Sequence, residues 1–167
     1  MTIQRVYLAG PDVFRPDAAE HGRALVALCA EYGFTGVFPL DDAPPSDLPP
    51  HALAERIYQA NVARIDGCDA VLANLDFFRG PEPDSGTCFE IGYAVARGKP
   101  VIGYLSGCGT FAERIRRRYP QAVGEGLLDA QGWQLEEFGL PLNLMLGVPC
   151  RIVVGDVRAA LAALRDE

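Results

Sequence analysis

Asp69-Ala70-Val71-Leu72-Ala73-Asn74-Leu75 is the stretch whose reading decides the fold. It is an apolar, strand-like run, closed by a loop with Arg79-Gly80-Pro81-Glu82-Pro83. Asp84-Ser85-Gly86-Thr87-Cys88-Phe89-Glu90-Ile91-Gly92-Tyr93-Ala94 then opens a helix. A carboxylate, Glu90, thus stands near a helix start just past the C-terminal end of a predicted strand. Ligands bind at that place in open α/β sheets, and a glutamate there can serve as nucleophile or base. A plainer reading competes. Thr87-x-x-Glu90 has the spacing of a capping box, in which Glu90 would reach back to the Thr87 backbone. A carboxylate tied into a cap is a poorer nucleophile.

Working outward, Ile3–Ala9 reads as a first strand, broken by Gly10-Pro11-Asp12. Pro16–Tyr32 carries helical periodicity, and Phe34–Leu40 reads as a second strand. From Asp41 to Pro50 the chain is a loop rich in Pro and Asp. Leu53–Asp66 is the next helix. The Glu90 helix runs to Arg97, with Gly98 as its stop. Pro100–Leu105 and Cys150–Val154 are further strands, Phe111–Tyr119 a short basic helix, and Val157–Leu164 a last helix. Arg114, Arg116, Arg117 and Arg118 read as a solvated face rather than a phosphate site. No regular element is legible over Gly124–Gly139. Strands alternating with helices predict one α/β domain over residues 1–167. Its core would be a doubly wound, mostly parallel five-stranded sheet with helices on both faces, Rossmann- or flavodoxin-like.

The 167 residues suffice for one sizeable core. A net charge of −7 argues against nucleic acid or an anionic membrane as partner, but not against small neutral molecules. The five cysteines are odd in number and irregularly spaced, without C-x-x-C, so a disulfide framework is not expected and a cytoplasmic setting fits. No signal-peptide pattern and no apolar run of membrane-spanning length occurs. With His21 and His51 as the only histidines, a histidine metal cluster is not expected; no cofactor is expected either.

Four segments together resemble the nucleoside 2-deoxyribosyltransferase family: Tyr7-Leu8-Ala9-Gly10-Pro11-Asp12-Val13-Phe14, Cys68-Asp69-Ala70-Val71, Phe78 through Ala94, and Gly139-Leu140-Pro141-Leu142-Asn143-Leu144-Met145-Leu146. The resemblance runs from Val6 to about Val154. It implies exchange of the nucleobase of 2′-deoxyribonucleosides through a covalent deoxyribosyl–glutamate ester, as in purine and pyrimidine salvage. Glu90 matches the nucleophile, its ionised form favoured near a helix N-terminus. Tyr7 matches the tyrosine that would donate to it, and Asp84 the aspartate that would accept a sugar hydroxyl. Asn143, with Met145 beside it, matches the asparagine that reaches a neighbouring subunit's sugar pocket. A homo-oligomer with shared sites, a dimer or a multiple of dimers, is therefore implied. Asn61 stands where some members carry an acid/base aspartate. An amide can hydrogen-bond a base but cannot transfer a proton in that way, which leaves Asp76 as the nearest alternative acid. In the turn after the first strand, Gly10 would let backbone approach the ligand and Phe14 would pack on a base. Two other readings stay open. One is an N-glycosidase of 2′-deoxynucleoside 5′-monophosphates, disfavoured by the acid Asp12 in that turn but kept open by Arg79. The other is a non-catalytic nucleoside-sensing module.

Overall fold

The computed structural model describes residues 2–40 and 48–167, so most of the Pro/Asp loop expected at 41–50 lies outside the described residues. Five strands form one parallel sheet: β1 (Arg5–Ala9), β2 (Thr35–Val37), β3 (Ala70–Asn74), β4 (Val101–Leu105) and β5 (Arg151–Val154). Their order is β2-β1-β3-β4-β5, the flavodoxin-like order, whose switch point lies between β1 and β3. Tyr7 pairs with Val71 in register, and Val71 with Val101. The fold class is the one expected.

Strand alternation assigns the two faces of the sheet. Val6, Leu8, Ala70, Leu72 and Ile102 pack on one side with Leu25, Leu28 and Cys29 of α1 (Ala18–Glu31) and with Ala160, Leu161 and Leu164 of α6 (Val157–Leu164). Tyr7, Ala9, Val71, Ala73, Leu75, Val101 and Leu105 face the other side. There they meet Ile65 of α2 (Pro50–Asp66), Ile91 and Ala94 of α3 (Ser85–Ala96), and Leu146 of α5 (Leu144–Gly147). The odd-numbered side of β1 is thus the α3 side, and this places Tyr7 beneath the helix that carries Glu90.

The boundaries differ from expectation where local chemistry intervenes. β1 starts at Arg5 because the Gln4 and Arg5 amides donate to the Asp69 carboxylate at 2.9 and 2.8 Å. α2 begins at Pro50, three residues before the expected Leu53, since proline suits the first helical position. β2 spans only Thr35–Val37. Residues 123–134 carry two isolated antiparallel bridges, Val123 with Asp129 and Leu128 with Gln134. α4 (Phe111–Arg118) is capped by a reciprocal Thr110–Glu113 box. Arg114 departs from the expected solvated face. It is buried, 5% exposed, among Phe111, Ala112 and Ile115, while Arg116, Arg117 and Arg118 are exposed. All five cysteines are free, and among the described residues no helix is long and apolar enough to cross a membrane.

Candidate active site

α3 starts one turn earlier than the Thr87 reading allows. Its N-cap is Asp84, whose Oδ2 accepts from the Thr87 amide at 2.9 Å and the Thr87 hydroxyl at 3.1 Å. The capping box between Thr87 and Glu90 does not form. Glu90 falls on the sixth helical residue, past the turn where helix-end partial charges act strongly. Its carboxylate is released from backbone capping and turns to the sheet, where the Tyr7 hydroxyl donates to Oε1 at 2.6 Å. Among the described residues Oε2 accepts no hydrogen bond.

Burial dominates the acidity of this pair. It pushes the Glu90 carboxyl up to about 7, against the opposing hydrogen bond from Tyr7, and the nearby Asp84 charge raises it further. The expected helix-end stabilisation of the ionised form is therefore overridden. Tyr7 is fully buried, and burial together with the Glu90 charge drives its phenol far above the ordinary range. Tyr7 is a permanent donor.

The ends of β1 and β3 meet at the switch point. Asp12, in a 3-10 turn over Pro11–Phe14, accepts from Asn74 Nδ2 at 3.0 Å and lies 3.0 Å from His21 Nε2. Gly10 is needed for this junction. A Cβ there would stand 2.8 Å from Asp12 Oδ2 and 2.9 Å from Asn74 Cβ, so the packing of the turn on β3 by itself requires glycine. Phe14 is 53% exposed and stacks on Phe78 with centroids 5.3 Å apart and planes 14° apart. The Arg79 guanidinium lies 4.9 Å from the Phe14 ring centroid and 4.6 Å from that of Phe78. Arg79 is the one non-glycine among the described residues with a left-handed backbone, φ 57°, a conformation that surrounding structure must sustain.

Asn61 on α2 accepts through Oδ1 from Arg64 Nη1 at 3.1 Å, one helical turn on. This fixes the amide so that its NH2 group is the end left to meet a ligand. Asp76 is committed elsewhere: its Oδ1 accepts from the Ser106 amide and hydroxyl, each at 2.8 Å. Asn143 caps α5, its Oδ1 accepting from the Met145 amide at 3.0 Å and its Nδ2 donating to Glu136 at 2.7 Å. With Met145 it lines a cavity of about 540 Å3 against Ser85, Cys88 and Gly92 of α3. At 100° per residue, Cys88 and Gly92 lie about 160° around α3 from Glu90. Within one chain, then, Glu90, Tyr7 and Asp84 come together, and Asn143 sits across the helix from them.

Sequence reasoning missed Asn74, Phe78, Arg64 and Glu136. Asn74 and Phe78 were signalled by their places at and just after a strand's C-terminal end, and Arg64 by its spacing from Asn61. Glu136 lies in a segment without periodicity and gave no signal.

The profile of the nucleoside 2-deoxyribosyltransferase family matches residues 6–145. The chain belongs to this family. A 2-desoxiribosyltransferase from Leishmania mexicana has a similar structure, with TM-score 0.77, 31% identity and 98% of each chain covered. A CMP N-glycosidase from Clostridium botulinum, 16% identical with TM-score 0.50 over 98% of this chain and all of that one, shares the fold. An uncharacterized protein of Schizosaccharomyces pombe is 36% identical over 125 residues, 73% of this chain. That match spans only 59% of the yeast protein's length.

Proposed function

We propose that this member of the family is a nucleoside 2-deoxyribosyltransferase that exchanges the nucleobase of 2′-deoxyribonucleosides through an ester on Glu90, in nucleoside salvage. The observation that carries the reading is the 2.6 Å, partly buried Tyr7–Glu90 hydrogen bond near the C-terminal ends of β1 and β3. It fixes one carboxylate oxygen and leaves the other without a hydrogen-bond partner among the described residues. In the first step Oε2 of ionised Glu90 forms a bond to C1′ as the N-glycosidic bond breaks. The bonding pair leaves with the base, which takes up a proton. In the second step a nitrogen of the incoming base bonds to C1′, the ester C–O bond breaks back to the carboxylate, and the incoming base loses a proton. Two inversions give retention. Carboxylate charge next to a cationic C1′ stabilises both transition states.

Asp84 has Oδ1 free to accept a sugar hydroxyl, since its two capping bonds both fall on Oδ2. Asn61 would present an amide donor to the base, and the exposed Phe14, with Arg79 over its ring, would offer a face for it to stack on. Asp76, held by Ser106, is a poor candidate for the acid. The fixed Asp12 carboxylate at the switch point disfavours a 5′-phosphate there, and so favours nucleosides over nucleotides.

Incubation with deoxyinosine, with and without adenine, tests the reading. Deoxyadenosine formed only when adenine is present is the expected result. Hypoxanthine release at one rate, with or without adenine and with no deoxyadenosine, would assign hydrolysis instead. No turnover at all would leave a sensing module.

A further inference from the structure

A second site lies outside the Glu90 pocket. Between the C-terminal end of β4 and helix α4 is a cavity of about 440 Å3, lined by Asp76, Phe77, Ser106, Arg114, Arg117 and Arg118. Its least expected member is Arg114, only 5% exposed. Buried guanidinium groups are normally paired with a carboxylate or another anion. Among the described residues Arg114 forms no ion pair. Its Nη1 donates to the Pro141 carbonyl, and its guanidinium lies 4.4 Å from the Phe77 ring centroid. Among the described residues Nε and Nη2 have no acceptor, yet no buried side-chain nitrogen there lacks a partner, so these N–H groups open on the cavity. Gly107 keeps this opening clear, since a Cβ there would come within 3.4 Å of Nε.

The other charges in the cavity add to the imbalance. Burial disfavours the charged form of Arg114, Asp76 partly offsets this, and Arg117 adds to it; among the described residues Arg117 donates to the Cys108 carbonyl alone, at 3.1 Å. Among the described residues Arg118 makes no hydrogen bond or ion pair, and its guanidinium lies 5.8 Å from the Tyr119 ring centroid. Asp76 is the one carboxylate in the lining, and its Oδ1 already accepts two bonds from Ser106. Three guanidinium groups against one engaged carboxylate leave the cavity electropositive in a chain of net charge −7.

We propose that this cavity is a binding site for a phosphate-type oxyanion, held by Arg114 Nε and Nη2 and closed by Arg117 and Arg118. Tetrahedral oxyanions accept several charge-assisted bonds from guanidinium forks. Such a ligand adds to the partial counter-charge that Asp76 gives Arg114 and screens it from Arg117. The loop that lines this cavity leads on to the start of α3. Asp76 and Phe77 line the anion cavity, and the next two residues, Phe78 and Arg79, cover Phe14.

The test is calorimetric titration of the intact protein with inorganic phosphate and with glycerol 3-phosphate, against sodium chloride at equal ionic strength. The expected result is saturable one-to-one binding of at least one phosphate species and none of chloride. The variant R117Q/R118Q changes only exposed side chains, and should weaken that binding at least tenfold while its melting temperature without phosphate stays near wild type. Tighter binding of glycerol 3-phosphate would assign a phosphate ester, and tighter binding of inorganic phosphate the free ion; either supports the site. Absence of saturable binding, or equal affinity in R117Q/R118Q, would overturn it.

Discussion

Glu90 and Tyr7 define the chemistry at the scale of single residues. Tyr7 lowers the Glu90 pKa by donating to its ionised form, against burial that raises it to about 7. Tyr7→Phe should therefore do two things at once. Loss of a hydrogen bond to a charged group costs about 1.5–3 kcal/mol, or roughly ten- to a hundredfold in kcat/KM. The acidic limb of the pH–rate profile, set near 7 in the wild type by the need for ionised Glu90, should also move to higher pH. A profile flat from pH 5 to 8 in the wild type, or unmoved in the variant, would refute the assigned ionisation. The same shift has a stability sign. Glu90 holds its proton more tightly folded than unfolded, so folding is penalised as pH rises from the unfolded pKa through about 7. Glu90→Gln removes the penalty. It should abolish transfer yet stabilise the protein at pH 8, by up to on the order of 3 kcal/mol, with the gain fading toward pH 4. Denaturation curves of both proteins at pH 4.5 and 8 measure it, and a variant less stable at pH 8 contradicts the sign.

Helix α3 shows how a choice between two caps decides whether a carboxylate is free to react. Asp84 and Thr87 are both good N-caps, and sequence spacing alone cannot rank them. The chain leaves the loop at Pro83, so Asp84 caps first and takes Thr87 as its own partner. Asp84→Ala should cost about 0.5–2 kcal/mol of stability. Asp84→Asn keeps the cap through its amide oxygen but turns an NH2 group, not an acceptor, toward the sugar. It should melt near wild type while losing much of kcat/KM; full activity in that variant would leave Asp84 as a cap alone. The longer elements were legible because their apolar runs and periodicity persist over several residues. α5 has four residues, too few to show a period. The burial of Arg114 was hidden by the neighbouring arginines, although its spacing from Phe111 and Ile115 puts it on their face.

For the molecule as a whole, strand order was the part the sequence could not show. Tyr7 and Glu90 are 83 positions apart, and only insertion of β1 between β2 and β3 brings them together. The family resemblance pointed to Tyr7, Asp84 and Glu90 as one cluster and to Asn143 as a residue serving a neighbouring subunit; one chain places Asn143 on the far side of α3. A site that uses Asn143 must then draw it from a second subunit. Here its structural cost also matters. Asn143 caps α5 and holds Glu136, so Asn143→Ala should lose about 1 kcal/mol of stability apart from any effect on activity. Asn143→Ser, which retains a capping oxygen, should recover most of that stability without recovering activity. The decisive experiment mixes Glu90→Ala with Asn143→Ala after dissociation and reassembly, each being inactive alone. If sites are shared between two chains, a mixed dimer contains one pocket with both defects and one with neither. Random pairing makes half of the dimers mixed, so activity should return to about a quarter of the wild-type value per chain, by the same counting that defines an isologous interface. No recovery on mixing, or normal turnover by a stable monomer, would return Asn143 to its role as the cap of α5.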